Sequence, residues 1–155
     1  MERFEVPYLD DPTKNYLERL RIIATPFASI YLHRLGTPDS RPTLHDHPWS
    51  FVSFIIRGGY VEQRLNLHTR KVESRHRRWV NIMRRDDAHY IESLDRTPTW
   101  TLLLVGRRRR TWGYWRPMHR TGGWTWDQFD TDLHAYEFDQ AIARRAASGR
   151  TPDGN

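Results

Sequence analysis

Two histidines stand two residues apart in Thr43-Leu44-His45-Asp46-His47-Pro48-Trp49-Ser50, and the chain runs on through Phe51–Ile56 to Arg57-Gly58-Gly59. In an extended backbone alternate side chains share a face, so His45 and His47 would bring two imidazoles to one point. Such a pair can hold a metal ion; it can also be two ordinary polar residues at a strand end. The chain has no cysteine, which excludes a disulfide framework and any thiolate metal site. Metal chemistry would rest on imidazole and carboxylate, a donor set that suits iron, zinc, nickel, copper or manganese.

The elements that must position these residues read as short strands. Leu20–Ile23 and Phe27–Leu35 are separated by Thr25-Pro26, and Ile30 and Leu32 alternate with Tyr31 and His33, a half-buried pattern. Phe51–Ile56 is apolar except at Ser53, which predicts a strand covered on both faces. Gly58-Gly59 permits a hairpin turn into Tyr60–Asn66, with Ile55 opposite Glu62 and Ser53 opposite Arg64. The polar stretch 67–77 reads as a ragged hairpin end. Further strands are expected at Arg78–Met83, Ala88–Glu92 and Thr99–Val105, the last pairing with Thr111–Trp115 across Arg107–Arg110. Asp11-Pro12 can cap a short helix. Gly122–Phe129 is irregular and aromatic. Asp130-Thr131-Asp132 can start a terminal helix that Gly149 stops, with Phe138, Ile142 and Ala146 on one face. Many short strands followed by one helix predict an all-β sandwich or barrel, organised as an N-terminal arm (1–19), a barrel (20–116) and a C-terminal aromatic segment, helix and tail (117–155).

The chain of 155 residues is long enough for one stable core. Its formal charge of +6 is almost all arginine, since Lys14 and Lys71 are the lysines, and it favours an anionic partner. No apolar run approaches the length of a membrane span, and Met1–Glu5 lacks the apolar core of a signal peptide, so a cytoplasmic protein is expected. Arg107–Arg110, beside Trp112 and Trp115, is either a solvated hairpin end or a phosphate-contacting patch for nucleic acid. His33 lies on an expected barrel strand; His68, His76, His119 and His134 show no ligand spacing to one another.

The histidine pair, the apolar strand, the glycine turn and the later His89 together resemble the cupin pattern. His45–Phe51 with Arg57–Tyr60, Tyr31–Arg34 and Arg107–Trp112 also resemble uncharacterised small cupin-like proteins of bacteria and their phages. The resemblance covers residues 20–116 and implies a jelly-roll β-barrel with a metal site inside. The first cupin motif is a glycine, His-x-His, a glutamate three or four residues later and a further glycine. His45, His47 and Gly58 match it, Phe51 and Val52 occupy the two glutamate positions, and Asp39 stands at the leading glycine. The second motif survives in His89, with Arg84, Asp86 and Ser93 in place of its proline, glycine and asparagine.

The resemblance implies His45, His47 and His89 as metal ligands without the usual glutamate; some cupin thiol dioxygenases are similar in using three histidines. Glu62 and Ser53 are the further candidates for the metal or the cavity. The implied cofactor is a divalent ion, iron first and zinc, nickel or manganese next. The implied activity is oxygenation or isomerisation of a small anionic ligand. The alternative is a barrel that binds a small ligand or nucleic acid without catalysis. Cupins often dimerise, so a homodimer is compatible with either reading.

Overall fold

The computed structural model describes residues 2–7, 15–39, 42–118 and 122–129, with side chains from Tyr16 onward. These residues form strands β1 (Glu2–Pro7), β2 (Asn15–Ala24), β3 (Ala28–Leu35), β4 (Leu44–His45), β5 (Phe51–Arg57) and β6 (Tyr60–Asn66). There follow β7 (Lys71–Arg77), β8 (Val80–Met83), β9 (His89–Leu94), β10 (Thr99–Gly106), β11 (Gly113–Pro117) and β12 (Trp124–Gln128). The expected helices at Asp11-Pro12 and beyond Asp130 lie outside the described residues. No helix among the described residues is long and apolar enough to cross a membrane.

The strands make two six-stranded sheets, β1-β2-β3-β10-β5-β8 and β12-β11-β4-β9-β6-β7. The all-β architecture is as expected, but the described residues form two facing antiparallel sheets and no hydrogen-bonded ladder closes them into a barrel. Strands also form at both ends of the 20–116 span, since β1 and β2 extend the first sheet and β12 the second.

Two expected pairings differ, and one stretch expected to be ragged is a regular strand. Gly58-Gly59 is not a hairpin turn. It carries the chain from β5, which lies between β10 and β8, to β6, which lies between β9 and β7. Glu62 therefore sits opposite Ile91 and Arg75, and Arg64 opposite His89 and Glu73, while Ser53 pairs with Leu103 and Asn81. β11 pairs with β4 and β12 instead of β10. Residues 71–77 form a full partner to β6: alternating polar side chains suit an edge strand that is solvated on one side.

Period-two alternation sends one side chain of each pair between the sheets. Leu17, Leu35 and Ile55 of the first sheet meet Tyr60 and Ile91 of the second, all buried. Phe51, Met83, Leu103 and Val105 form a second cluster on the first sheet. The opposite face of that sheet is also apolar, in two cross-strand rows: Ile23, Ile30, Leu104, Val52 and Ile82, then Leu20, Leu32, Leu102, Phe54 and Val80. Phe54, Ile82 and Leu104 are exposed, so β5 is covered by described residues on one face and not on both. Its continuous apolar run reflects two apolar faces, of which only one is turned to the other sheet.

The crossing between sheets is tight at Gly58, which has φ +88°; a Cβ there would meet Thr99 Oγ1 at 2.4 Å. Gly122, at φ +65°, has nothing within 4 Å of such a Cβ. Gly58→Ala is expected to cost about 2–4 kcal/mol, from backbone strain plus the clash, and Gly122→Ala about 1 kcal/mol from strain alone. Urea denaturation of the two variants checks the difference, and equal losses would show that the crossing is loose.

Candidate metal and ligand site

His45, His47 and His89 meet between the sheets. β4 and β9 place His45 directly opposite His89, and the chain leaving β4 returns His47 to the same point. The three ring centroids form a nearly equilateral triangle with sides of 5.3, 5.2 and 5.2 Å. One nitrogen from each lies within 4.8 Å of the others. The three candidate ligands that the cupin resemblance implies are therefore brought together, His89 buried and the other two half-buried.

Glu62 stands behind this cluster. Its carboxylate is fully buried and accepts the Nδ1 hydrogen of His89 at 2.8 Å. Asn81 Nδ2 and Arg77 Nε donate to it at 2.9 Å each, and Arg64 pairs with it at 2.9 Å. Burial alone would raise the Glu62 carboxyl; the hydrogen bond and charge of His89, with Arg64 and Arg77, hold it down at about 2. With Nδ1 committed to Glu62, His89 presents Nε2 to the cluster, 3.0 Å from His47 Nε2.

Burial also lowers His47 well below the usual imidazole value, helped by the neighbouring His89 and His45, and lowers His45 despite Asp39. Both are neutral at pH 7, the state in which imidazole ligates metal.

A second buried carboxylate, Asp46, fixes the segment between the two ligands. Its Oδ1 accepts the Gly113 N–H at 2.8 Å, and its Oδ2 accepts Arg110 at 2.6 Å, Trp126 Nε1 at 2.8 Å and Trp115 Nε1 at 3.1 Å. Asp46 was not legible as a site residue; its one signal is an acidic residue enclosed between two histidines. The arginine run is thereby divided: Arg110 is committed to Asp46, while Arg107, Arg108 and Arg109 are exposed on the loop between β10 and β11.

The histidines open onto a cavity of about 320 Å³. Ser53 lines it and Glu62 does not. Phe51, at one of the glutamate positions, packs edge-on against His47 with centroids 5.0 Å apart, so an aromatic wall stands where a carboxylate would project. Trp112 lies 6.2 Å from His45. Tyr16 donates to Asp39, whose other oxygen accepts the Ile91 N–H at 2.6 Å. Arg19, Tyr31 and His33 complete the wall on the first sheet. None of Tyr16, Arg19 or Asp39 was singled out for the site from sequence, because their strand and loop join it only through long-range pairing.

The described residues are thus all-β, with a three-histidine cluster held between two sheets. No family model matches the chain, and no curated protein matches it. The solved structures similar to it are cupin-fold proteins. The Streptomyces nucleoside dehydratase Pac13 is 10% identical over 85% of this chain and 88% of its own, with a TM-score of 0.47. KdgF from Halomonas sp. is 14% identical over 70% and 88%, with a TM-score of 0.45. The polyketide cyclase RemF from Streptomyces resistomycificus is 11% identical over 72% and 83%, with a TM-score of 0.46. Likenesses this distant carry no argument about chemistry, which rests on the residues of this chain.

Because the Glu62 carboxyl is depressed on folding, its contribution is complete above the unfolded range near ~4.3 and is withdrawn as pH falls towards the folded value. Glu62→Gln should therefore flatten the loss of thermal stability between about pH 5 and pH 2, while lowering stability at pH 7. Parallel acid melting curves for the two proteins would refute this assignment. Asp46→Ala removes the acceptor of the buried Gly113 N–H and of two indole N–H groups and leaves Arg110 with Arg85 O and Asp86, and should cost about 2–4 kcal/mol, read by denaturant titration at pH 7.

Proposed function

We propose that this protein is a metal-binding, cupin-like small-molecule protein whose ion is held by His45, His47 and His89. The observation that carries this reading is the convergence of imidazole nitrogens with Glu62 bonded behind His89. Bonds from metal to imidazole are about 2.0–2.1 Å, so two donors 3.0 Å apart match ligands about 90° apart at one ion. All three donors lie within 4.8 Å of one another, against the ~4.2 Å that two such bonds span, so ligation would draw the rings slightly closer. The donor set fits.

Glu62 acts here through His89. A carboxylate on the remote ring nitrogen fixes the tautomer and makes the imidazole a better donor. With Glu62 behind His89, and Asp39 turned to Tyr16 and the Ile91 N–H, the remaining coordination positions face the ligand. A divalent ion there supplies Lewis acidity to a bound oxygen or carbonyl. Iron is our first choice, and zinc, nickel and manganese accept the same donors. Phe51, Trp112 and Leu103 restrict water around the ligand. Tyr16 and Asp39 form a hydroxyl–carboxylate pair at the cavity wall that can hold or pass a proton. Binding with polarisation is the function these parts support; oxygenation or isomerisation is the chemistry open to them.

Metal analysis of untagged protein by inductively coupled plasma mass spectrometry tests the reading. About one equivalent of a divalent transition metal per chain is expected. His47→Ala should lose most of it, since it removes one of three donors, while circular dichroism stays that of a β protein. Glu62→Gln should retain the metal with affinity lower by about 10–100-fold. Full metal occupancy in His47→Ala would overturn the ligand assignment.

A further inference from the structure

We propose that the cavity takes a small carboxylate ligand on an apolar or aromatic body, with the carboxylate seated on Arg19; this rests on reading the cavity as a ligand site. Arg19 lies on β2, on the sheet facing the histidines, in register with His33 on β3. Its Nε donates to His33 Nε2 at 2.9 Å. The guanidinium lies over the Tyr31 ring, 5.3 Å from its centroid. These two contacts fix the plane and rotation of the group while using one of its five N–H donors. Its terminal nitrogens have no hydrogen-bond partner among the described residues, and no described carboxylate lies within ion-pair distance. The acidic residue that lines the cavity, Asp39, is turned to Tyr16 and the Ile91 N–H.

This arrangement differs from every other arginine the structure buries or half-buries near the site. Arg64 and Arg77 are paired with Glu62, and Arg110 with Asp46. Arg19 alone among these four keeps its fork free. A half-buried cation without a partner is costly, and two parallel N–H groups fit the two oxygens of a carboxylate. A monoanion matches the single positive charge of Arg19; the second charge of a phosphate dianion would find no partner on that wall, where the neighbours of the guanidinium are Tyr31 and a neutral His33. Tyr31, Phe51, Leu103, Val105 and Trp112 wall the space between Arg19 and the histidines, so the body of the ligand is apolar or aromatic. The volume of about 320 Å³ is at the low end for small-molecule pockets.

The test is tryptophan fluorescence titration with benzoate, its neutral isostere benzamide, and phenyl phosphate, since Trp49 and Trp112 line the cavity. It is run on protein as purified and again after dialysis against EDTA. Saturable quenching by benzoate is expected, with benzamide at least ~10-fold weaker and Arg19→Gln losing ~10–100-fold for benzoate but little for benzamide, as for a charge-assisted bond. Arg107→Gln, on the exposed loop, should bind benzoate as the wild type does. Equal binding of benzoate and benzamide to the wild type overturns the proposal without relying on any variant. So does benzoate affinity unchanged in Arg19→Gln, or no saturable quenching by any probe. Tighter binding of phenyl phosphate than of benzoate overturns the carboxylate assignment. Because the Arg19 dependence is read with and without EDTA, its persistence in a protein that never holds metal leaves the subsite standing and removes only the metal reading.

Discussion

A buried carboxylate must be surrounded by donors, and at Glu62 that requirement joins the two sheets to the site. Its side chain is fully buried, so an unpaired charge there would cost several kcal/mol. The donors come from both sheets: His89, Arg64 and Arg77 on the second, and Asn81 on the first. Asn81 is itself fully buried; it also donates to Tyr60 and accepts from Arg64 at 2.6 Å. The contact that aims His89 is therefore the contact that spans the sandwich. The sheets cannot slide past one another by a residue without separating Glu62 from Asn81, and His89 would then lose its orientation. Conversely, any group that draws on His89 Nε2 is felt across the sandwich through the same carboxylate.

Asp46 solves the same problem for a segment that has little secondary structure to hold it. β4 is two residues long, and His47 follows it outside any strand. A polar loop would leave both imidazoles free to rotate. Four donors on the carboxylate between them tie that loop to β11, to β12 and to the β10–β11 connection. The tryptophans near the arginine run are thus committed in part to anchoring: Trp115 and Trp126 donate to Asp46. With Arg110 drawn to the same atom, one end of the basic run is structural, and its remaining three arginines form the solvated part.

How much of this could be read from the chain follows from the range of each interaction. Alternation is local, so β3, β5, β9 and β10 were legible nearly in place. The histidine cluster was legible because His45 and His47 are neighbours and because the spacing to His89 follows a known pattern. Pairing is not local. Phe51–Ile56 and Tyr60–Asn66 flank a glycine pair and read as a hairpin, yet the better apolar partner for β5 is β10, whose Leu102 and Leu104 face Phe54 and Val52. That choice sends β6 to the other sheet and moves Glu62 from beside Ile55 to beside His89. Asp46 and Arg19 carry no motif at all. Asp46 takes its role from groups 64 to 80 residues away and Arg19 from His33 and Tyr31 on the next strand, and no local periodicity records either.

The two sheets give the cavity a polarity. The side of the second sheet contributes His45 and His47, whose charge is suppressed chiefly by burial, with His89 adding to the effect. The first contributes a guanidinium that cannot lose its charge at any ordinary pH, held by His33, which burial and Arg19 keep well below the usual imidazole value. A neutral His33 can accept the Arg19 Nε hydrogen; a charged one could not. A ligand entering between the sheets therefore meets a fixed cation on one side and neutral lone pairs, or an ion bound to them, on the other. An anionic end and a donor oxygen placed apart on one small molecule would satisfy both sides at once, whereas either group alone would leave one wall unpaired. Orientation in this cavity is thus set by the faces of two sheets, and the contacts of Glu62 and Asp46 hold the histidine side in place.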